Sequence, residues 1–330
     1  MTILVTGGGG FLGSTIVRQL VEQGRSVRSF SRRKYDSLER LGVEQVVGDI
    51  CDLESVERAC RDITTVHHTA AVAGIWGKWR SYYETNTVGT QNVLKGARRQ
   101  GCRSLVFASS PSVTFDGRDQ QGIDESVPYP RRWLCAYPHT KALAEQSVLA
   151  AHDTKSLRTC ALRPHLIWGP GDLHLVPRLI ERAQAGRLRR VGTGDNLVDM
   201  VYVDNAASAH ISAADALVDT GVPGGNTYFI SQGAPVRCWD WIDQLLALKG
   251  LPGVKKKLSI ASAYYIGAFY EATFSGMRIR REPAMTRFLA LQFGRHHYYS
   301  IDAARRDFGY TPKITTAEGM KRLDNWLNQA

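Results

Sequence analysis

The 330 residues contain six cysteines (Cys51, Cys60, Cys102, Cys135, Cys160 and Cys238), with no C-x-x-C pair and no zinc-like spacing. That scatter excludes a disulfide scaffold and predicts reduced thiols in a cytoplasmic setting. His67-His68 and His296-His297 lack an acid or cysteine at ligand spacing, so they read as structural histidines and no metal is expected. The opening residues MTILVT run straight into a strand pattern and leave no room for a cleaved export signal. The uncharged stretch LSIASAYYIGAFY at 258–270 stops at thirteen residues, short of the roughly 20 needed to cross a bilayer. Internal repeats and low-complexity tracts are also absent.

Acidic residues are in deficit: 31 Asp and Glu stand against 42 Lys and Arg, a formal charge of +11. Such a balance suits nucleic acid, an anionic lipid surface or an acidic small molecule, and does not choose among them. No basic reading element interleaved with aromatics is present, so nucleic acid is not an expected partner.

What the chain does have is ordinary globular composition, 43% hydrophobic and 22% charged, with length for about two domain-sized units. Its first half alternates strand-like runs (3–6, 26–30, 43–48, 64–68, 104–109 and 158–162) with helical patterns at 11–23, 53–60, 82–99 and 137–151. This rhythm predicts an α/β protein built on a Rossmann-type, doubly wound parallel sheet. After Arg163, the breakers Pro164, Gly169, Pro170, Gly171 and Pro177 end the rhythm. A smaller, discontinuous C-terminal substrate domain is expected at about 167–196 plus 236–330. The dinucleotide-binding domain then takes 1–166 plus about 197–235, with the stretches 197–203 and 226–231 returning to the sheet.

Between the first strand and helix lies Thr6-Gly7-Gly8-Gly9-Gly10-Phe11-Leu12-Gly13. Gly7, Gly10 and Gly13, three apart, suit a turn that lets backbone approach a pyrophosphate at a helix N-terminus. Phe11 and Leu12 stand within the same cradle. The second strand ends Ser31-Arg32-Arg33-Lys34, with no acid before Asp36. Ser31 and Arg32 therefore point to a 2′-phosphate and to NADP, with NAD as the other possibility. Asp49 and Ile50, after the third strand, are candidate adenine contacts; an ordinary turn aspartate is the plain alternative for Asp49.

Tyr137 and Lys141 are four residues apart at the start of a predicted helix and share a face, with Pro138 tolerated in the first turn. A phenol of ordinary pKa about 10 needs a neighbouring ammonium to work as an acid or base near neutrality. Ser109-Ser110, ending a strand between glycine turn and tyrosine, completes the set.

With these motifs assembled, the chain resembles an extended short-chain dehydrogenase/reductase. It meets T-G-x-x-G-F-x-G at Thr6 to Gly13, D-[IL]-x-D at Asp49 to Asp52, and H-x-A-A at His68 to Ala71. It also meets N-x-x-G-T-x-N at Asn86 to Asn92, Y-x-x-x-K at Tyr137 to Lys141, and R-P-x-x-x-x-G-P at Arg163 to Pro170. The resemblance implies catalytic Ser110, Tyr137 and Lys141, the last two also touching cofactor, with Ala70, Ala71 and Pro164 lining the nicotinamide side. Residues 109–117 and 163–172 are most similar to the 3β-hydroxysteroid and sterol 4-carboxylate dehydrogenase branch, which includes bacterial 2-alkyl-3-oxoalkanoate reductases. The missing acid after the second strand departs from the sterol enzymes and sets NAD, with the oxidative direction, in question.

The function implied is interconversion of a secondary alcohol and ketone on a large lipophilic substrate, in the sense of NADPH-dependent reduction. Trp76, Ser110 and His165 are the expected substrate contacts. A nucleotide-sugar epimerase and a catalytically silent dinucleotide sensor remain as alternatives; a dehydratase would want an acid pair where Pro111 and Ser112 stand. The expected partners are the lipophilic substrate and a second copy in a homodimer. Residues 255–295 carry eight Lys or Arg against Glu271 and Glu282, which fits a lid over the substrate, a peripheral membrane contact or a docking surface for a partner enzyme.

Overall fold

The computed structural model describes residues 2–329. Seven parallel strands form the central sheet in the spatial order Thr227–Ile230, Arg158–Pro164, Ser104–Ala108, Ile63–His68, Thr2–Thr6, Ser26–Ser31 and Glu44–Val47. The order reverses between Thr2–Thr6 and Ile63–His68, and ligands of doubly wound sheets bind outside the carboxyl ends of the strands at such a point. The glycine turn leaves the sheet there.

Apolar runs explain the layering. Leu4, Val66, Leu105 and Phe107 are fully buried against Val93, Ala97, Ala144 and Val148 from the helices Gly89–Arg99 and Ala136–Ala150. On the opposite face Ile3, Val5, Ile16, Val17 and Leu20 pack with Ala207 and Ile211 of the helix Val203–Asp219. Strands buried on both faces read as near-continuous apolar runs, which is the pattern of SLVFA and TCAL in the sequence.

The stretch 226–231 returns to the central sheet as expected: Thr227–Ile230 pairs in parallel with Ala161–Pro164. The stretch 197–203 does not. It splits, with Leu197–Val198 joining a four-stranded sheet beside Val236–Arg237 and His297–Tyr299, and Val201–Tyr202 pairing with Ile167–Trp168. The cause is Asp199, 1% exposed, whose carboxylate accepts the Tyr299 N–H at 2.7 Å and so interrupts the run. A further core, around Trp168, Trp239, Trp241, Leu245 and Leu323, unites the later segments.

Among the described residues, no helix is long and apolar enough to cross a membrane. The 258–270 stretch instead forms most of the helix Ile260–Gly276, which buries only Ala263 and Gly267.

Candidate active site

The glycine turn is held by close backbone packing. Gly7 has φ +70°, its N–H donates to the Phe30 carbonyl at 2.8 Å, and a Cβ there would stand 2.9 Å from Ala70 Cα. A Cβ on Gly13 would collide with the Gly7 carbonyl. Only glycine lets strand, turn and helix approach this closely. The resulting cradle opens at the N-terminus of the helix Phe11–Glu22, where free N–H groups favour an anion. The Ser31 Oγ lies buried without a protein partner at the end of the second strand, and Arg32 beside it is exposed and unpaired among the described residues. The Tyr35 ring rests against Gly9, with the Arg33 guanidinium 5.0 Å from its centre. Cradle, orphan hydroxyl and free cation fit a dinucleotide.

A polar network joins this turn to the helix carrying Tyr137. Thr6 Oγ1 lies 2.7 Å from His68 Nδ1, and His68 Nε2 lies 2.9 Å from Thr90 Oγ1. Thr90 in turn donates to the Asn86 carbonyl at 2.6 Å. Asn86 sits in a π-helical turn, Tyr83–Val88, a distortion frequent at functional sites. Its amide accepts from Val72 N–H at 2.8 Å, donates to the Val72 carbonyl at 3.1 Å, and reaches Thr140 Oγ1 at 3.2 Å. Asn92 donates to the carbonyls of Ile50 and Cys51, both at 3.0 Å. In that loop Asp49 accepts the Cys51 N–H at 2.9 Å, closing its own turn, while Asp52 caps the helix Leu53–Ala59.

Tyr137, Ser110 and Lys141 converge at the ends of the strand Ser104–Ala108 and the helix Ala136–Ala150. Ser110 caps a short 3₁₀ turn with Pro111 first, and its Oγ lies 2.9 Å from that of Ser112. Burial pushes the Tyr137 phenol up to about 12, against the pull of the neighbouring Ser110 hydroxyl. Lys141, 2% exposed, donates from Nζ to the Ala108 carbonyl at 2.5 Å and lies 3.9 Å from the centre of the Phe107 ring. Desolvation pushes its ammonium down to about 7. Two residues past the tyrosine, His139 stacks on Trp133 at 4.1 Å and meets Trp79 at 4.6 Å, pinning the first turn of the helix.

A cavity of about 480 Å³ abuts that turn, within the span of about 300–1,000 Å³ usual for ligand pockets. Ile75, Trp76, Leu134 and Cys135 line one side; Ala268, Glu271, Ala272 and Arg287 line the other. Trp76 also anchors its loop, donating from Nε1 to the Ile279 carbonyl at 3.3 Å.

Phe11 and Leu12 begin the helix after the glycines, Ala70 packs against Gly7 with Ala71 exposed next to it, and Ile50 is buried against Gly89. Pro164 ends its strand buried. His165 goes elsewhere than the cavity: it is 6% exposed, with Nε2 lying 2.6 Å from His297 Nδ1. Leu166, next in sequence, takes φ +42°, a backbone state uncommon for a branched side chain. Sequence reasoning assigned no role to Tyr35, Asn86, Cys135 or the Glu271–Arg287 pair. For Asn86 the signal was present in the N-x-x-G-T-x-N motif; for the others it was not.

A sequence profile of the 3-beta hydroxysteroid dehydrogenase/isomerase family matches residues 4–260. The chain belongs to that family. The 2-alkyl-3-oxoalkanoate reductase of Stenotrophomonas maltophilia (strain K279a) is 49% identical over 326 residues, covering 98% of both chains. The decarboxylating sterol-4-alpha-carboxylate 3-dehydrogenase of Mus musculus is 33% identical over 322 residues, covering 96% of this chain and 88% of its own. Among solved structures, MoeE5 in complex with UDP-glucose and NAD has a TM-score of 0.76 at 25% identity, covering 100% of this chain and 99% of its own. The UDP-glucuronic acid 4-epimerase from Bacillus cereus, in complex with NAD, has a TM-score of 0.76 at 21% identity and the same coverage. That last likeness is one of fold, which makes epimerase the weaker reading. Like its family, this protein is an NAD(P)-dependent oxidoreductase that acts on a hydroxyl and carbonyl pair.

The shift on Lys141 has a measurable consequence. Its folded value of about 7 lies below the ordinary value of about 10.4, so between these limits the unfolded chain holds a proton that the folded chain has released. Stability of the cofactor-free protein should therefore rise as pH climbs from 7 toward 10. Lys141→Met removes this contribution, and its melting temperature should climb less over pH 7 to 9.5 than that of the parent. Parallel curves for the two would show that the lysine is not desolvated.

Proposed function

We propose that the protein is an NADPH-dependent reductase of a 2-alkyl-3-oxo acid, with Ser110, Tyr137 and Lys141 as its catalytic residues. The observation that carries this is the half-buried, protonated phenol of Tyr137 beside the Ser110 hydroxyl, one residue on from Cys135 and Ala136 in the wall of the cavity. The end-to-end likeness to a protein named 2-alkyl-3-oxoalkanoate reductase supports the substrate class.

The phenol holds its proton at neutral pH and is the donor; burial lifts it to about 12 in the cofactor-free protein, a weaker acid than an ordinary phenol, so easing its proton transfer falls to the charges of Lys141 and the bound cofactor. Ser110 steadies the oxygen on which negative charge develops, as a positioned donor in a water-poor site does. Lys141, with one N–H spent on Ala108, has donors left for the nicotinamide ribose, and its charged form would ease the phenol toward phenolate. Bound nicotinamide supplies the hydride. Asp49, Ser31 and Arg32 would hold the adenosine end, with Ala70, Ala71 and Pro164 beside the ring.

Turnover of a 2-alkyl-3-oxo acid and of a 3-ketosteroid, each with NADPH and NADH, tests the reading: NADPH with the oxo acid should be fastest. Tyr137→Phe should lower that turnover by orders of magnitude with NADPH affinity nearly kept. A variant retaining a tenth of the parent rate would remove Tyr137 from the mechanism. Arg32→Ala should weaken NADPH far more than NADH, since a guanidinium pairs with a 2′-phosphate through charge-assisted hydrogen bonds. Equal losses, or a parent preferring NADH, would overturn the NADP assignment.

We infer that residues 255–295 form a lid, because Ala268, Glu271, Ala272, Ser275 and Arg287 wall the cavity. The outward face of the same helix leaves Tyr265 73% and Phe269 67% exposed, between Lys255-Lys256-Lys257 and Arg278, Arg280 and Arg281. Apolar side chains with basic flanks complement an anionic lipid surface. Flotation with anionic vesicles at low salt should carry part of the protein upward, and Phe269→Ser should reduce that fraction. Protein left wholly at the bottom restricts the segment to its lid role.

A further inference from the structure

The cavity beside Tyr137 has a nearly uncharged wall with one exception. Ile75, Trp76, Gly77, Leu134, Ala136 and Ala272 offer no charge, while Glu271 and Arg287 face the same space. A solvated or structural ion pair would ordinarily spend both partners on each other. Here the sharing is uneven.

Both carboxylate oxygens of Glu271 are taken on one side of Arg287. Oε1 accepts the Arg287 backbone N–H at 2.7 Å, and Oε2 accepts its Nε at 2.6 Å. The two terminal amino groups of the guanidinium are left with no carbonyl or carboxylate partner among the described residues. The Tyr264 hydroxyl is within hydrogen-bonding reach of the guanidinium. The arginine side chain is 38% exposed and the glutamate 13%, so the cation projects farther from the protein than its counter-ion. An arginine fork whose outer edge meets no carbonyl or carboxylate, and only that one hydroxyl, can take the two oxygens of a carboxylate. The grip of Glu271 at Nε and at the backbone fixes that edge in orientation, lowering the entropy cost of seating an anion.

We propose that Arg287 is the carboxylate seat of the substrate cavity, held in place by Glu271, and that the protein therefore selects 3-oxo or 3-hydroxy acids over their neutral counterparts. This rests on the reading of the cavity as the substrate site. Arg287 acts in specificity rather than in the chemical step, and Glu271 is a positioning residue. Because guanidinium stays charged throughout the accessible pH range, the seat works wherever the acid is ionised. The geometry also explains why the cavity carries a glutamate at all: without it, the arginine would be free to swing into solvent.

The test uses the full chain saturated with NADP⁺ and a stable probe, a short-chain 2-alkyl-3-hydroxy acid, beside its methyl ester. Calorimetric affinities and the oxidation kcat/KM are measured for both. The parent should favour the acid by at least about tenfold, the scale of one charge-assisted pair. Arg287→Gln should bring the acid-to-ester ratio close to one, and Arg287→Lys should restore part of it. Glu271→Gln should lower the ratio less than Arg287→Gln does, through weaker acid binding with NADP⁺ affinity unchanged. A parent without preference for the acid, or an Arg287→Gln protein that melts normally and keeps the preference, would overturn the seat. Loss of folding in Arg287→Gln leaves the decision to Arg287→Lys, whose ratio must fall below the parent's. The two hypotheses fail separately: acid bound through Arg287 but never oxidised sinks the proposed reaction alone, whereas oxidation with no dependence on Arg287 sinks the seat alone.

Discussion

Asn86 is the joint on which the site depends. Its single amide meets both the N–H and the carbonyl of Val72 and the Thr140 hydroxyl, while its own carbonyl anchors Thr90. Three elements distant in sequence, the loop after Ile63–His68, the π-helical turn and the helix of Tyr137, are thereby held at one point. The side chain is 1% exposed, and a buried polar group left unpaired costs about 1–3 kcal/mol. Any movement of one element would strand partners on the other two, so the network tolerates one arrangement. The turn widens to π geometry to bring this amide to the loop, a local irregularity serving the register of the whole site.

Desolvation then does what charge alone would not. Lys141 is buried and Tyr137 half-buried on the same helix, and desolvation moves them in opposite senses, the phenol up and the ammonium down. Both shifts favour neutral forms in the cofactor-free protein. A phenol that keeps its proton is in the form that the reduction of a carbonyl would use. The positive charge of an oxidised nicotinamide would favour the phenolate, so the charge on the cofactor and the direction of proton transfer are coupled through this residue.

How far the sequence could be read followed the range of the interactions. The glycine turn and the Tyr137–Lys141 pair were legible because their geometry is set within eight and five residues, and the alternating apolar runs made the parallel sheet legible for the same reason. The break at Asp199 was not, since its partner Tyr299 lies 100 residues away. His165 is a similar case: its position after a strand suggested the substrate side, whereas its ring is tied to His297, 132 residues on. Arg287 looked like one cation in a basic segment. Its setting depends on how the helix Ile260–Gly276 lies against Arg287–Gly294, with Gly267 allowing the backbone at Thr286 to approach, and neither periodicity nor spacing encodes that angle.

The helix Ile260–Gly276 brings these constraints together. An ordinary surface helix turns a polar face outward and an apolar face inward, yet this one is uncharged all round except for Glu271. Its inner side supplies small residues, Ala268 and Ala272, where bulk would fill the cavity, and Glu271 is the one charge placed there. Its outer side carries Tyr265 and Phe269, which contribute nothing to the core. The helix is held by Ile260, Ala263 and Tyr264 packed into the core around Trp239 and Leu245, by Gly267 against Thr286, by Trp76 against Phe274 at 6.3 Å, and by the Glu271–Arg287 pair. The ion pair that orients Arg287 also ties this helix to Arg287–Gly294 at the cavity wall, so that, with the proposed carboxylate seat, a bound acid would meet the guanidinium where the two helices join.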